Sequence, residues 1–503
     1  MLSCLPAKFK IVRDSNRCIK CKVCVQQCAY EVHNYDAEED EIFSEEKSCV
    51  SCHRCVNMCP TQALTVVVYQ LDYVPNANWK KIDIMRLTEQ AESGGVLLTG
   101  MGNDLAYPII WDNIVLNASQ VTNPSIDPLR EPMELRTYFG RKTNTVEIEM
   151  GANGIPQLKT KLGLIKLEVP IIFSAMSFGS ISYNVHRALA QSAKDLGILY
   201  NTGEGGLHKD FYQYGSNTIV QCASGRFGID EYYLQQGVAI EIKIGQGAKP
   251  GIGGHLPGEK VDERISMTRM IPTGTDAISP APHHDIYSIE DLRQLIFSIK
   301  EATYYKMPVG VKIAAVHNVA AISSGIARAG ADFITIDGFR GGTGAAPTMI
   351  RDNVGIPIEF AIASVDDRLR QEGIRNEITL VASGGFRNSA DIVKAIALGA
   401  DVIAIGTPAL IACGCHVCQN CYSGKCNWGI ATQDPQLTKR VNPDIATRRL
   451  KNLIRAWSLE IKEFLGAMGV NAIESLRGNR EHLRGIGLSR NYLDILGIKE
   501  VGR

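Results

Sequence analysis

Eight cysteines in two identical runs dominate the first sixty residues of this chain. The runs are Cys18-x2-Cys21-x2-Cys24-x3-Cys28 and Cys49-x2-Cys52-x2-Cys55-x3-Cys59, and Pro60 follows the second. This spacing binds two [4Fe–4S] clusters, because the fourth cysteine of each run ligates the cluster of the other run. The first cluster would be held by Cys18, Cys21, Cys24 and Cys59, and the second by Cys49, Cys52, Cys55 and Cys28. The pattern predicts a chain that carries electrons.

Two other uses of clustered cysteines fit this pattern less well. A disulfide framework needs an oxidising compartment. We find no signal peptide between Met1 and Asn16, where charged residues interrupt every apolar stretch, and the cysteine total of 15 is odd. A structural zinc site uses four ligands, not two interlocked sets of four. Iron–sulfur clusters and free thiols together indicate a reducing, cytoplasmic location.

Composition excludes some classes of partner. The chain has 53 basic and 53 acidic residues, so no global field favours nucleic acid or an anionic membrane. No stretch approaches 18 consecutive apolar residues, and we therefore expect a soluble protein that contacts neither membrane nor nucleic acid. A length of 503 residues leaves room for about two to four domains, one of them a large barrel.

The sequence divides into four parts. They are a ferredoxin-like two-cluster domain at 1–70, an irregular connecting segment that wraps the next domain at 71–160, a barrel with a cysteine cluster at its end at 161–430, and a C-terminal helical extension at 431–503. The first part closes with the β-branched run Leu64–Val68, and the second contains X-Pro pairs at Asn123, Asp127 and Glu131. These changes in composition set the predicted boundaries.

The third part alternates short apolar strands with helical patterns, which is typical of parallel strands covered by helices. The predicted strands are Pro170–Ala175, Ile198–Asn201, Ile219–Ala223, Ala239–Ile244, Val309–Ile313, Phe333–Ile336, Ile378–Ala382 and Val402–Ile405. An open doubly wound sheet would carry Gly-x-Gly-x-x-Gly after its first strand, and only Met-Ser-Phe-Gly-Ser follows Ala175. The expected fold class is therefore α/β, a (β/α)8 TIM barrel with an N-terminal two-[4Fe–4S] ferredoxin-like domain.

Glycine-rich segments follow the last three predicted strands, at Asp337–Gly344, Ser383–Gly385 and Gly406–Pro408. Barrels bind phosphate after strands seven and eight, where small residues let backbone N–H groups approach an anion. The pair Gly384-Gly385 together with Gly406-Thr407 fits that placement. Glycine also ends many strands for turn geometry alone. We predict a flavin or another phosphate-bearing ligand here.

Several charged residues lie where the predicted strands end. Lys243, Lys249 and Lys312 are cations expected near an anionic ligand, although pairing with a structural carboxylate is the alternative for Lys243 and Lys312. Arg269 could pair with a carboxylate. Glu204, flanked by glycines, is a candidate proton donor, with a turn or capping role as the alternative.

A third cysteine group, Cys415-x2-Cys418-x2-Cys421-x4-Cys426, follows the eighth strand, with Cys413 left over. It could hold one more cluster beside the flavin, and a structural zinc is the rival interpretation. His283-His284-Asp285 is read as a loop or helix start, because adjacent histidines seldom point at one ion.

From about residue 160 to 490 the chain resembles the FMN-binding synthase domain of glutamate synthases. The matching blocks lie at 174–180, 202–206, 223–228, 246–251, 278–292, 341–345 and 429–434. With the ferredoxin-like module added, the chain resembles the archaeal-type glutamate synthase core subunits. The resemblance implies a glutamate synthase that makes L-glutamate from 2-oxoglutarate and ammonia through 2-iminoglutarate, using FMN.

The resemblance also implies roles for individual residues. FMN would be held by Met176, Ser177, Gln221, Lys243, Lys312, Gly341, Gly342, Thr343, Gly384, Gly385, Gly406 and Thr407. Gln246, Lys249 and Arg269 would bind 2-oxoglutarate, and Glu204 and Lys249 would act at the imine. The family's cluster near the flavin maps onto Cys415, Cys421 and Cys426 and implies [3Fe–4S], whereas the added Cys418 favours [4Fe–4S]. His255 also departs from the family, since glutamine is expected there.

Full-length relatives carry an N-terminal glutaminase domain and a C-terminal β-helix domain, and this chain starts Met1-Leu2-Ser3-Cys4. We expect separate glutaminase and β-helix subunits or use of free ammonia, with electrons from a ferredoxin or an NADPH-dependent reductase. Two alternatives stay open. One is an N-methylglutamate synthase type of FMN enzyme, and the other is an electron-transfer subunit without substrate chemistry of its own.

Overall fold

The computed structural model describes residues 7–71, 73–74, 77–120, 124–142, 147–151, 153–158 and 163–503. Met1–Cys4, Asn123 and the predicted boundary at Thr160 lie outside these ranges.

The N-terminal module is closed by its own two ends. Strand Phe9–Arg13 pairs antiparallel with Leu64–Val68, and His33–Asp36 pairs with Glu41–Ser44. Two short helices, Val23–Gln27 and Arg54–Asn57, and the 3-10 turn Glu46–Ser48 complete the module. Its buried core consists of Ile11, Cys24, Val32, Cys55 and Leu64. The pairing of the outer strands brings the two cysteine runs face to face.

The segment predicted to be irregular contains one sizeable helix, Lys81–Ser93, which has no fully buried residue. Without a buried apolar stripe the sequence had no helical period to detect. The remaining elements here are short: 3-10 turn Ile110–Asn113 and strands Leu98–Thr99, Ile114–Leu116, Thr137–Phe139, Ile148–Met150, Pro156–Leu158 and Ile165–Leu167.

Eight parallel strands form a closed barrel, which confirms the predicted fold. They are Ile171–Phe173, Tyr200–Asn201, Thr218–Ala223, Ala239–Lys243, Val309–Ala314, Phe333–Asp337, Thr379–Ser383 and Val402–Ile405. Helices surround them at Tyr183–Leu196, Glu231–Leu234, Ile289–Ala302, Val319–Arg328, Thr348–Asn353, Ile358–Gln371, Ser389–Leu398 and Thr407–Ala412, with 3-10 segments Lys209–Asn217 and Arg375–Glu377.

The barrel interior is apolar at one end and polar at the other. Phe139 and Leu167, from two strands of the connecting segment, pack with the inward residues Ala239 and Phe333 at the amino ends of the strands. Because side chains alternate along a strand, residues two and four positions further on face inward nearer the carboxyl ends. Those inward positions carry polar and charged side chains, which places the candidate site at that end.

The long insert after the fourth barrel strand holds strands His255–Leu256 and Ala277–Ile278, helix Glu263–Arg269 and the 3-10 turn Gly258–Lys260. The C-terminal part is built around helix Pro443–Met468, which packs against Tyr183–Leu196 and Ser389–Leu398. Its other elements are Pro435–Thr438, Ile473–Leu476, Arg480–His482, Leu483–Gly485, Arg490–Leu496 and Lys499–Glu500. The 3-10 turn Cys421–Ser423 lies after the eighth barrel strand, and strand Ala346–Pro347, after the sixth, pairs with Leu98–Thr99. Among the helices in the described ranges, none has the length and apolar character needed to cross a membrane.

Candidate active site and cysteine clusters

A cavity of about 330 Å³ opens at the carboxyl ends of the barrel strands, the face where barrel enzymes place their active sites. Every barrel strand contributes to its lining directly or through the loop that follows it. Of the residues predicted for flavin and substrate, the lining contains Met176, Ser177, Glu204, Gln221, Lys243, Gln246, Lys249, Lys312, Gly342, Thr343, Gly384, Gly385, Gly406 and Thr407. Barrel closure thus gathers residues that are spread over more than two hundred positions.

Two predicted residues lie behind the cavity wall. Gly341 sits in a turn whose N–H donates to Gly338 O at 2.8 Å. Arg269 is 1% exposed, and its Nη2 donates to Ser177 Oγ at 3.1 Å and to Phe178 O at 3.2 Å. Its Nε and Nη1 have no partner in the described structure. Arg269 therefore keeps two buried donors beside the residues that line the cavity.

The glycines that follow barrel strands seven and eight, Gly384, Gly385 and Gly406, form a glycine cradle at the cavity. Gly384 and Gly385 adopt φ of +95° and +96°, and a Cβ on Gly384 would lie 2.6 Å from Gly338 O. Gly406 precedes the helix that begins at Thr407. A backbone of this kind, with no side chains in the way, suits the close approach of a phosphate, so the cradle fits the phosphate end of FMN.

Below the cavity floor lies a buried polar network that sequence reasoning missed. Glu241 accepts hydrogen bonds from Asn201 (2.8 Å), Gln221 (2.7 Å) and Thr335 (2.7 Å). All four side chains face into the barrel, and Glu241 is 2% exposed. The available signal was the spacing of Glu241 two residues before Lys243 in an otherwise apolar strand, which puts both on the inward face. This network fixes the amide of Gln221 at the cavity floor.

Lys312 and Lys243 each have a carboxylate partner as well as a place in the cavity. Lys312 lies 3.2 Å from Asp337, which also accepts from Gly247 N–H at 2.9 Å. Lys243 lies 3.1 Å from Glu204. Both lysines therefore have the carboxylate partner that the alternative interpretation required. Contact with a ligand stays a prediction, because a lysine that is paired with a carboxylate and lines the cavity can still bind a ligand. Asp337, at the end of the sixth strand, was not predicted as a site residue.

The charges around Glu204 decide its protonation. Burial acts to raise the pKa of Glu204, but attraction to Lys243, Arg269 and Lys249 outweighs it, so the pKa is lowered. Ser279 Oγ donates to the same carboxylate at 3.3 Å. Glu204 is therefore ionised at neutral pH, which suits an acceptor and counter-charge better than the proton donor predicted from sequence.

Lys249 is a buried cation, in contrast to Glu204, which is a buried anion. It is 4% exposed, and within the described part of the chain its ammonium makes no hydrogen bond or ion pair of 4.0 Å or less. Burial first, then repulsion from Lys243, lowers the pKa of Lys249 to about 8, against attraction to Glu204. A buried cation without a direct partner is costly, so the site is complementary to an anion.

His255 also lines the cavity, with Nε2 3.3 Å from Asp276 Oδ2. Both ring nitrogens of His283 have hydrogen-bond contacts within the protein. Its Nε2 lies 2.7 Å from Lys243 O and its Nδ1 lies 3.2 Å from Arg226, which also binds Asp285. Among the described residues no three His, Cys, Asp or Glu side chains converge on one metal ion. The triplet at 283–285 is a loop anchored by Arg226, as expected.

The cysteines of the N-terminal module are free thiols, as are the other described cysteines, which disfavours the disulfide alternative. Cys28, Cys49, Cys52 and Cys55 line one small cavity, so the last cysteine of the first run meets the first three of the second. Arg13 Nη1 lies 3.6 Å from Cys18 Sγ and 3.8 Å from Cys24 Sγ. The structure thus gathers the four thiols predicted for the second cluster, while ligation of the first cluster by Cys59 stays a prediction.

The third cysteine group adjoins both the cavity and the N-terminal module. Cys421 lines the cavity, and Trp428 Nε1 donates to Cys52 O at 2.8 Å. Burial, with smaller contributions from neighbouring thiols, raises the pKa of Cys418 and Cys421 to about 12. Such thiols become thiolates at neutral pH only when a metal takes the place of the proton.

Lys260 is a cation beside the third cysteine group that the sequence did not single out. Its Nζ donates to Cys421 O at 2.6 Å, and the residue is 3% exposed. Burial lowers the pKa of Lys260, while the nearby Cys421 and Cys426 act to raise it. An anionic cluster at this position would balance the buried ammonium.

Comparison with known proteins agrees with this geometry. A family model described as the conserved region in glutamate synthase matches residues 106–471, and one described as a 4Fe-4S dicluster domain matches residues 17–64. The chain is 62% identical to an archaeal-type glutamate synthase [NADPH] of Dehalococcoides mccartyi, over 100% of both chains. It is 63% identical to an archaeal glutamate synthase [NADPH] of Archaeoglobus fulgidus, over 98% of this chain and 97% of that one.

The match to longer proteins is partial. The glutamate synthase [NADPH] large chain of Bacillus subtilis is 38% identical over 61% of this chain and 20% of its own length. Solved structures match more weakly, for example the recombinant flavin-binding domain of baker's yeast flavocytochrome b2, with a TM-score of 0.46, 15% identity and coverage of 78% of this chain and 84% of that chain.

Proposed function

This chain belongs to the archaeal-type glutamate synthases, and from that membership we propose that it aminates 2-oxoglutarate with ammonia to L-glutamate. It is a glutamate synthase core with an N-terminal 4Fe-4S dicluster domain. The reaction joins ammonia to the C2 carbonyl with loss of water and then adds a hydride and a proton to the resulting 2-iminoglutarate.

The charge balance around Lys249 is the observation that carries the proposal. Lys243, Lys249 and Arg269 supply three positive charges, and Glu204 supplies one negative charge within the same electrostatic group. The remaining charge of +2 matches the two carboxylates of 2-oxoglutarate. Within the ranges that the structure describes, Lys249 has no direct anionic partner and Arg269 has two unused buried donors. We infer that Lys249 and Arg269 bind the two carboxylates, with Gln246, 3.4 Å from Thr343 Oγ1, beside them.

The cradle described above supports FMN as the cofactor. It would be held by Met176, Ser177, Gln221, Lys243, Lys312, Gly341, Gly342, Thr343, Gly384, Gly385, Gly406 and Thr407, with Gly341 acting through the turn that it supports. When bound, FMN would supply hydride to the Cα of 2-iminoglutarate. The protein residues orient the imine and exclude water from the cavity.

Proton transfer at the imine is assigned to Lys249, with Glu204 as the counter-charge of the neighbouring Lys243. A pKa of about 8 leaves Lys249 protonated at neutral pH and still able to release the proton. Glu204, ionised and 3.1 Å from Lys243, holds that ammonium in place. Glu204 thus remains a catalytic candidate because its negative charge holds Lys243 in place, and it is not the proton donor.

We infer that electrons travel from the N-terminal clusters through the third cysteine group to the flavin. Contacts between Cys52 and the segment that follows Cys426 make the cluster of Cys28, Cys49, Cys52 and Cys55 the nearer donor. The third cluster is proposed as [4Fe–4S] on Cys415, Cys418, Cys421 and Cys426. The other three thiols are close enough to Cys421 that each acts to raise its pKa. A [3Fe–4S] centre on Cys415, Cys421 and Cys426 is the alternative.

Partners follow from the chemistry and from the relatives. The matched relatives are named for NADPH, so we propose NADPH as the reductant, delivered by a separate reductase to the N-terminal module. Ammonia would come from a separate glutaminase subunit, accompanied by a β-helix subunit. The matched segment is only a fifth of the Bacillus subtilis large chain, which supports this division into subunits.

The central test is an anaerobic half-reaction. The dithionite-reduced holoprotein, freed of excess dithionite, should recover its oxidised flavin absorbance when 2-oxoglutarate and ammonia are added together, with one glutamate formed for every two electrons that leave the flavin and the clusters. Methylamine with glutamate, in place of these substrates, should yield no N-methylglutamate, which is measured as product because that amine exchange is redox-neutral. A flavin that stays reduced with 2-oxoglutarate and ammonia would reject the synthase and favour an electron conduit.

The same assay tests the role of Glu204. We expect Glu204→Gln to lower the rate on the order of 100-fold, because the variant removes the counter-charge of Lys243. The matched control is Glu259→Gln, which changes a carboxylate in the insert after the fourth barrel strand that does not line the cavity. Full activity of Glu204→Gln would remove this residue from the mechanism.

The cluster type has its own test. Cys418→Ala should lower total iron by about one atom per chain and create the EPR signal of an oxidised [3Fe–4S] centre. Cys413→Ala, which alters a buried thiol outside the proposed ligand set, should change neither. A [3Fe–4S] signal already present in the unaltered protein would show that Cys418 is not a ligand.

A further inference from the structure

His33 is a buried histidine that the proposed mechanism leaves without a role. It is 1% exposed and lies in the strand that follows the first cysteine run. Its ring lines the small cavity that also contains Cys28, Cys49, Cys52 and Cys55. The ring therefore stands directly beside the site of the second cluster.

The hydrogen bonds of His33 determine which ring nitrogen carries the hydrogen. Arg13 Nη2 lies 3.3 Å from His33 Nδ1, and Ser44 Oγ lies 2.9 Å from the same atom. A guanidinium donates and cannot accept, so Nδ1 must be the acceptor. The hydrogen of the neutral ring is consequently on Nε2.

That Nε2–H has no hydrogen-bond partner in the described structure, although it is fully buried. Buried donors without a partner are rare in proteins, and each calls for an explanation. The other histidine at this cavity, His53, differs because its Nε2 lies 3.0 Å from Ser51 Oγ. The unused donor thus belongs to His33 specifically and is complementary to an acceptor inside the cavity.

We propose that His33 Nε2–H donates a hydrogen bond to a sulfur of the cluster held by Cys28, Cys49, Cys52 and Cys55, and so raises the reduction potential of that cluster. Hydrogen bonds to cluster sulfurs favour the reduced state, which carries one more negative charge. Arg13 links the two sites, since the guanidinium that orients His33 also donates to Cys18 and Cys24. His33 acts through the cluster and is a tuning residue, not a catalytic one.

The inference rests on the two-cluster module and not on the glutamate chemistry. It predicts unequal effects of two similar variants. His33→Gln keeps an N–H donor at the position of Nε2, whereas His33→Asn keeps only a group at the position of Nδ1. EPR-monitored redox titration of the holoprotein measures each cluster separately.

We expect His33→Asn to shift the reduction equilibrium of one cluster about tenfold toward the oxidised state, which is about 59 mV for a one-electron couple. His33→Gln should shift it less than half as far, and the cluster of Cys18, Cys21, Cys24 and Cys59 should shift less than the second cluster in both variants. Equal shifts in the two variants, or no shift in His33→Asn, would overturn the proposal. Glutamate formation could remain intact in that case, so the two proposals fail separately.

A spectroscopic measurement covers the case in which His33→Asn loses iron. Unaltered holoprotein labelled with 15N-histidine should show 15N hyperfine coupling to a reduced cluster. The coupling should persist in labelled His53→Gln and disappear in labelled His33→Gln. Absence of coupling in the unaltered protein would reject the hydrogen bond.

Discussion

The side-chain amide of Asn427 donates from Nδ2 to the Sγ of Cys52 at 3.4 Å, across 375 positions of the chain. Its oxygen accepts from Ala29 N at 3.1 Å and from Arg440 Nη1, so the orientation of the amide is determined by its donors. Asn427 directly follows Cys426. One side chain thereby links a thiol of the N-terminal module to the third cysteine group.

Replacing Asn427 with leucine should weaken the contact between these two parts. The change leaves Ala29 N–H without its acceptor and Cys52 without a donor, while Arg440 keeps the backbone oxygens of Gln27 and Asn427, so we expect a loss of about 1–3 kcal/mol. Urea unfolding of the anaerobic holoprotein measures it. Asn34→Leu, on the exposed hairpin of the same module, should stay within about 0.5 kcal/mol. Equal midpoints for the two variants would show that the Asn427 contact does not contribute.

Binding of 2-oxoglutarate should weaken as the pH rises. Lys249 has its pKa lowered to about 8 and binds an anion only when protonated. Affinity should therefore be constant below about pH 8 and fall about tenfold per pH unit above it. In Lys249→Arg this decline should vanish, because arginine stays charged throughout. Isothermal titration calorimetry of the oxidised holoprotein with 2-oxoglutarate at each pH gives the dissociation constants, and an identical decline in both proteins would assign the titration to another group.

The glycine cradle can be tested with a matched pair of substitutions. Gly384 has φ of +95°, and its added Cβ would meet Gly338 O at 2.6 Å. Gly373 has φ of +71° with nothing within 4 Å of an added Cβ. Both alanine variants carry the backbone strain of about 1–3 kcal/mol, but only Gly384→Ala should lose flavin, by several-fold. The ratio of flavin absorbance to protein absorbance is the readout, and retention of flavin by Gly384→Ala would remove the cradle from the site.

The end of the barrel opposite the site depends on a buried arginine. Arg375 donates from Nε to Asp366 at 2.7 Å and from Nη2 to Asp401 at 2.8 Å, and its side chain is 4% exposed. Arg375→Met would leave two buried carboxylates short of a partner, at a cost of about 3–5 kcal/mol. Arg368→Met, in an ion pair whose arginine side chain is 50% exposed, should cost under about 1 kcal/mol. Thermal unfolding distinguishes them, and similar losses would mean that burial does not decide the cost.

Local patterns in the sequence were sufficient for the fold and for many of the residues that line the cavity. The cysteine spacing predicted the dicluster module, and the eight apolar strands predicted the closed barrel, because ligand spacing and strand burial are properties of short segments. Lys81–Ser93 was missed, since a helix without a buried face has no apolar period. The glycines after strands seven and eight were found because their position along the chain already implies their place at the barrel mouth.

The charge state of the site was decided only by the tertiary structure. Glu204 meets Lys243 from 39 positions away, Glu241 collects donors from three other strands, and Lys260 lies beside Cys421 across 161 positions. A pKa depends on burial and on neighbouring charges, and the tautomer of His33 depends on Arg13 and Ser44. The sequence alone determined which chemical groups the chain carries and in what order. Closure of the barrel and docking of the module determined which of them are paired, which are ionised and which keep an unused hydrogen-bond donor or an unpaired charge for a ligand.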